Sequence, residues 1–114
     1  MTFYFLNTCY ASPEQYDVYR KNGESCGYIR LRWGSLSAEY PCIGGKTIYS
    51  YSFPDNYKGI FEDDTEREYH LTKIAEAFKE ACLAGLCADT SDVPAHYEIL
   101  TDPSQLEAKL KWYE

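Results

Sequence analysis

A chain of 114 residues, 45% hydrophobic and 25% charged, is long enough to bury one core without disulfides or metals and too apolar to be disordered. Twelve tyrosines and an aromatic share of 17% suit strands and contact surfaces, since tyrosine joins a large apolar body to a polar tip. The formal charge of −7 is lopsided: five basic residues against four acidic through Pro54 (+1), then six against fourteen from Asp55 onward (−8). Such acidity repels phosphate, which argues against direct nucleic-acid binding and allows a basic protein surface as partner.

The opening TFYFLN predicts an edge strand beside residues 16–20. Asn22-Gly23 is a preferred two-residue hairpin turn, and pairing outward from it sets Val18 opposite Gly27, Asp17 opposite Tyr28 and Tyr16 opposite Ile29. Gly34-Ser35 as the next turn sets Trp33 opposite Leu36, Leu31 opposite Ala38 and Arg30 opposite Glu39. Gly44-Gly45 as the third sets Ala38 opposite Tyr51 and Leu36 opposite Phe53. The three registers agree on two faces. One collects Tyr16, Val18, Ile29, Leu31, Trp33, Leu36, Ala38, Tyr40, Tyr49, Tyr51 and Phe53; the other collects Asp17, Tyr19, Tyr28, Arg30, Arg32, Ser37, Glu39, Ser50 and Ser52. A one-residue slip would mix the sets, so the agreement predicts an antiparallel meander.

Beyond FPDNYKG, Thr65 and Glu68 form a capping-box pattern, acidic residues crowd a first helical turn, and Gly85 stands where the helix should stop. Leu71, Ile74, Ala75, Phe78 and Cys82 make one apolar stripe at helical spacing, fit to cover the apolar sheet face. CADTSDVPAH reads as a loop, HYEIL as a short strand or extended arm, and TDPSQLEAKLKWYE as a terminal helix with Leu106, Leu110 and Tyr113 on one side. With no repeats and no break in composition, the expectation is a single domain over 1–114. Its fold class is α+β: a four- to five-stranded antiparallel meander sheet, one long amphipathic helix packed on one face, and a short C-terminal helix.

No motif carries a reaction. IGGKTIY contains G-K-T, but a phosphate-binding loop needs glycine where Tyr40 stands and a helix where a strand is expected, so Lys46 belongs to a hairpin. The five cysteines form no C-x-x-C pair and, with two histidines, no zinc spacing. MTFYFLNTCY lacks a basic start and a long apolar run, and no window reaches the length of a membrane span. Reduced thiols in a cytoplasmic protein follow, with no cofactor, no metal and no membrane partner. His70 and His96 have no cysteine or serine partner at a recognisable spacing, so the reading is non-enzymatic. Two surfaces are candidate interaction sites. The acidic cluster Glu62, Asp63, Asp64 and Glu66 suits a helix N-terminus, with imitation of DNA phosphates toward a basic partner as its functional rival. The face bearing Tyr19, Tyr28, Arg30 and Arg32 combines residue types enriched at binding hot spots, and also suits stacking of a base or nucleotide.

The run YDVYRKNGESCGYIRLRWGSLSAEYP, then GGKTIYSYSF, then FEDDTEREYHLTKIAEAF resembles short open reading frames carried by phages and conjugative elements of gut Firmicutes. The likeness spans about Tyr16 to Phe78 and rests on the G-Y-I-R-L-R-W strand, the Gly-Gly turn and the acidic helix start. It implies a mobile-element setting, in which small acidic α+β proteins often inhibit host defence systems, anti-CRISPR proteins included. It carries no catalytic residue over. The expected function is therefore an inhibitor or modulator that binds a host or element-encoded protein, with a small-molecule or nucleotide binder as the alternative.

Overall fold

The alternating first half of the chain forms strands, as its period of two demands. A computed structural model describes residues 1–9, 13–83 and 94–111. Its elements run β1 (Thr2–Cys9), β2 (Glu14–Arg20), β3 (Ser25–Arg32), β4 (Ser35–Tyr40), β5 (Lys46–Ser52), α1 (Asp64–Leu83), β6 (His96–Leu100) and α2 (Pro103–Lys111). The α+β class holds, but the sheet has six strands in the order β5-β4-β3-β2-β1-β6. HYEIL is a strand, β6, and it pairs parallel with β1 (Phe3 with Tyr97, Phe5 with Ile99). β1 is therefore an interior strand rather than an edge, and the sheet is mixed rather than purely antiparallel.

The β2–β3 register is as expected at Val18–Gly27, Asp17–Tyr28 and Tyr16–Ile29, yet it arises differently. The loop holds three residues, Lys21, Asn22 and Gly23, with Gly23 at φ 90° and its N–H on the Arg20 carbonyl at 2.9 Å. That moves the register by one, and a bulge at Cys26 moves it back: Tyr19 faces Ser25 while Val18 faces Gly27. The next hairpin turns at Trp33 and Gly34, both at positive φ (54° and 73°), not at Gly34-Ser35. Leu31 thus faces Leu36 and Arg30 faces Ser37. In the third hairpin Leu36 faces Tyr51 and Ala38 faces Tyr49. Through Ala38 both registers lie two residues from expectation, so partners change but faces do not; a bulge after Ala38 then sets Glu39 opposite Thr47 and Tyr40 opposite Lys46. Trp33 is the exception, leaving the core face for the turn.

On the inner face Phe3, Phe5, Tyr16, Val18, Ile29, Leu31, Leu36 and Ala38 meet Leu71, Ile74, Ala75 and Phe78 of α1. Each large side chain buried here contributes about 1.5–3 kcal/mol. Gly27 allows the closest approach, because a Cβ there would lie 2.2 Å from the Phe78 ring and 2.5 Å from the Glu39 carbonyl oxygen. The capping box of α1 is built on other residues than Thr65 and Glu68. Asp63 Oδ1 accepts the Glu66 N–H at 2.8 Å, and Glu66 Oε1 accepts the Glu62 N–H at 3.1 Å. The expected stop at Gly85 lies outside the described residues.

The terminal helix α2 is capped by Asp102, whose Oδ1 accepts the Ser104 N–H at 2.8 Å. It packs on the outer face at the β1–β6 side, where Leu106 and Leu110 join Tyr4, Leu6, Tyr19 and Leu100 in a second core. Tyr113, expected on the same side of this helix, lies outside the described residues. Among the described residues, the rest of the outer face, over β3 to β5, carries no helix.

Candidate functional site: an aromatic tip beside the outer sheet face

The expected Tyr/Arg face divides in two. Tyr19 lies half-buried under α2, where burial and then Asp17 raise its phenol above the ordinary value. Tyr28, Arg30 and Arg32 stand uncovered by either helix along β3. The Tyr28 hydroxyl donates to Gln15 Oε1, and burial raises its pKa ahead of the opposing effect of Arg30. The expected Arg30–Glu39 pair does not form. Glu39 faces Tyr28 instead and accepts the Gly44 N–H.

At the far end of β3 stand the most exposed aromatics among the described residues. Trp33 is 64% and Tyr57 83% exposed, with ring centroids 6.5 Å apart at 66°. The Arg32 guanidinium lies 5.7 Å from the Trp33 ring, within cation–π reach. Pro13, Gln15, Arg32, Trp33 and Tyr57 together line an open cleft of about 470 Å³.

The backbone holds this tip in place. The Gly34 N–H donates to the Lys58 carbonyl (2.8 Å) and its carbonyl accepts the Phe53 N–H (2.7 Å). A Cβ on Gly34 would lie 2.4 Å from the Asp55 carbonyl oxygen, so only glycine fits. Trp33 beside it adopts φ 54°, a conformation that costs an L-residue about 1–2 kcal/mol. Tyr57 is set by an Asp55 turn, whose Oδ1 accepts the Tyr57 N–H at 2.9 Å.

Beneath the tip lies a buried ion pair that ties β2, the 59–61 segment and α1 together. The Glu14 carboxylate, 4% exposed, accepts Arg67 Nε (2.9 Å), Arg67 Nη2 (3.1 Å), the Phe61 N–H (3.3 Å) and the Tyr16 hydroxyl. Arg67 also reaches Asp64 at 2.5 Å and lies over the Phe61 ring at 5.8 Å. Burial and the Glu14 contact push the Tyr16 phenol far above its usual range.

The acidic cluster is largely engaged in holding the helix start. Asp63 caps α1, Asp64 pairs with Arg67, and Glu66 pairs with Lys58 at 2.9 Å. Burial opposes ionisation of Glu66, but Lys58, the Glu62 N–H and His70 outweigh it and hold the carboxyl below its usual value. His70 sits in an aromatic box of Tyr49, Tyr51, Phe53, Phe61 and Tyr69, with Nδ1 3.0 Å from the Tyr49 hydroxyl. Burial lowers its pKa; Glu66 opposes this, while Lys73 and Lys58 add to it. His96 opens β6, its N–H on the Met1 carbonyl at 2.8 Å. Lys46 opens β5 after the third hairpin loop.

Among the described residues no group of three His, Cys, Asp or Glu side chains converges on a metal position, and no helix is long and apolar enough to cross a membrane. What fold and site define is a six-stranded mixed-sheet α+β protein with an aromatic tip. Compared with protein-family models, with curated proteins and with solved structures, the chain matches none.

Sequence reasoning missed Trp33, Tyr57 and Gln15. The available signal was Trp33-Gly34 itself: type I′ turns place glycine second more readily than first, which would have moved Trp33 into the turn.

Proposed function

We propose that this protein works in the cytoplasm by binding another protein, as a non-enzymatic inhibitor or modulator, and that Trp33, Tyr57 and Arg32 anchor the contact. In the mobile-element setting the resemblance implies, the partner is a host protein. The observation that carries this reading is Trp33. A large apolar side chain is held in solvent by a backbone conformation that works against it, and such strain is retained where a site needs it. Tryptophan, tyrosine and arginine together are also the residue types that dominate interface energies. Tyr28 and Arg30 extend the contact along β3. The net charge of −7 directs the protein away from nucleic acid.

The test is Trp33→Asn. Asparagine tolerates positive φ, so about 1–2 kcal/mol of strain is relieved. The lost burial, roughly a third of a tryptophan, costs about 2 kcal/mol. Stability therefore changes by no more than about 1 kcal/mol, while a hot-spot loss of about 2 kcal/mol weakens binding roughly thirty-fold. Parent and variant are immobilised side by side and exposed to the same Firmicute lysate, with retained proteins identified by mass spectrometry. A stoichiometric partner held by the parent and lost by the variant is the expected result; identical recovery on both rejects the site.

One observation favours a second reading: a cleft of about 470 Å³ with two rings, a guanidinium and an amide is the size of a small-ligand site. A nucleotide stacked there stabilises the parent in a thermal-shift screen and leaves Trp33→Asn unmoved.

A further inference from the structure

The bulge in β3 has a chemical outcome. In an unbroken strand Cys26 would share the outer face with Tyr28, but as the extra residue between Ser25 and Gly27 it turns inward beneath α1. There it is 3% exposed, in the cluster that holds Phe78. Cys82 stands one helical turn beyond Phe78 on the same stripe and packs against that cluster, half-buried. The two thiols lie close enough to act on each other's ionisation, and Tyr40 and Arg20 lie close enough to act on that of Cys82.

The pair is unequal. The nearness of Cys26, foremost, with Arg20 and Tyr40 outweighs the opposing effects of burial and Glu24 and brings Cys82 down to about 7. The same contact with Cys82 and burial push Cys26 far upward. Cys82 is thus the more acidic of the two sulfurs and Cys26 the one that keeps its proton. Cys82 itself is only partly buried, and its chain neighbour Ala81 lines, with Tyr40, an open groove of about 490 Å³.

We propose that Cys26 and Cys82 form a peroxide-reactive dithiol, in which Cys82 is the attacking sulfur and Cys26 resolves its product into an intramolecular disulfide. The Cys82 thiolate attacks one oxygen of hydrogen peroxide; the S–O bond forms, the O–O bond breaks, and the departing hydroxide takes a proton to become water. Sulfur has then lost two electrons to the peroxide. The Cys26 sulfur attacks the Cys82 sulfenic acid, the S–S bond forms, the S–O bond breaks, and the Cys26 proton leaves with the hydroxyl as a second water. In sum, two thiols and one hydrogen peroxide give one disulfide and two waters. Low-pKa, accessible thiols beside a resolving cysteine are the ones that follow this route.

The experiment uses the full chain with Cys9, Cys42 and Cys87 replaced by serine, its fold checked by circular dichroism. If that variant does not fold, the unsubstituted chain serves, with every cysteine followed by peptide mapping. After hydrogen peroxide at pH 7 and alkylation, the expected product is 2 Da lighter, carries a Cys26–Cys82 peptide link and returns to two thiols on reduction. Its rate of formation rises with pH around 7. Cys26→Ser stops at a 16 Da gain on Cys82, and Cys82→Ser reacts at least tenfold more slowly. Equal rates in the parent and Cys82→Ser, or a sulfenic acid in the parent that persists without a disulfide, overturn the proposal.

Discussion

Glu14→Gln tests whether the buried ion pair holds the end of the sheet together. Both carboxylate oxygens of Glu14 face Arg67: Oε2 accepts Nε (2.9 Å) and the Tyr16 hydroxyl, and Oε1 accepts Nη2 (3.1 Å) and the Phe61 N–H (3.3 Å). A glutamine amide has one acceptor oxygen. Whichever way it flips, its NH2 confronts a guanidinium N–H, and either the Tyr16 hydroxyl or the Phe61 N–H loses its acceptor. Breaking a buried pair by removing one charge costs about 3–5 kcal/mol. Arg67 keeps Asp64 and is partly open to water, which places the cost near the lower end, about 3 kcal/mol. For a domain of this size that is a drop in Tm of roughly 12 °C. Urea denaturation followed by far-UV circular dichroism measures it, with Glu14→Leu/Arg67→Met as the companion. The double variant, with no charge left to strand, recovers most of the loss. A Glu14→Gln cost under about 1 kcal/mol would refute the reasoning, since a carboxylate with four donors would then be replaceable by an amide.

Two further outcomes follow from particular contacts. Gly27→Ala forces its methyl into the Phe78 ring and the Glu39 carbonyl, costing about 3 kcal/mol by denaturation; shrinking Phe78 to leucine in the same chain recovers only part, because the carbonyl belongs to the backbone. A cost below about 0.5 kcal/mol shows the helix free to retreat. His70 has a folded pKa below its ordinary 6.5, so the unfolded chain binds the proton first as pH falls. Its contribution is intact above 6.5 and is lost as pH falls from there through the folded value, at no more than about 1.4 kcal/mol per pH unit. Glu66, also lowered, acts only from 4.5 downward. Stability measured between pH 7 and 5 declines in the parent, and His70→Phe flattens the decline; an unchanged slope assigns it elsewhere.

How legible these features are depends on what kind of signal each one has. Alternation with a period of two assigns Ile29, Leu31, Leu36 and Ala38 to one face whichever neighbouring turn is chosen, because as far as Ala38 both displaced registers moved by an even step. Partners are not protected in that way, so Arg30 lost Glu39 and Trp33 exchanged the core for the tip. The helices announced themselves by stripe and cap, although Asp63 and Glu66 compete with Thr65 and Glu68 for the same box. β6 was readable as a strand but not as a parallel neighbour of β1, since no turn joins them and it is the packing of α1 on one face and α2 on the other that brings them together. The Cys26 bulge has no local signal at all: it exists because a three-residue loop and a fixed inner face differ by one residue.

The β1–β6 ladder, where Thr2 faces His96, has a kinetic meaning. It joins opposite ends of the sequence, so its loop-closure entropy exceeds that of any hairpin here, and it is the pairing least able to form early. Until β6 arrives, Phe3, Tyr4, Phe5 and Leu6 present an open strand edge rich in aromatic side chains, and a second chain can supply the missing partner. The yield of folded protein should therefore depend on chain concentration during refolding, even though the finished sheet has covered that edge.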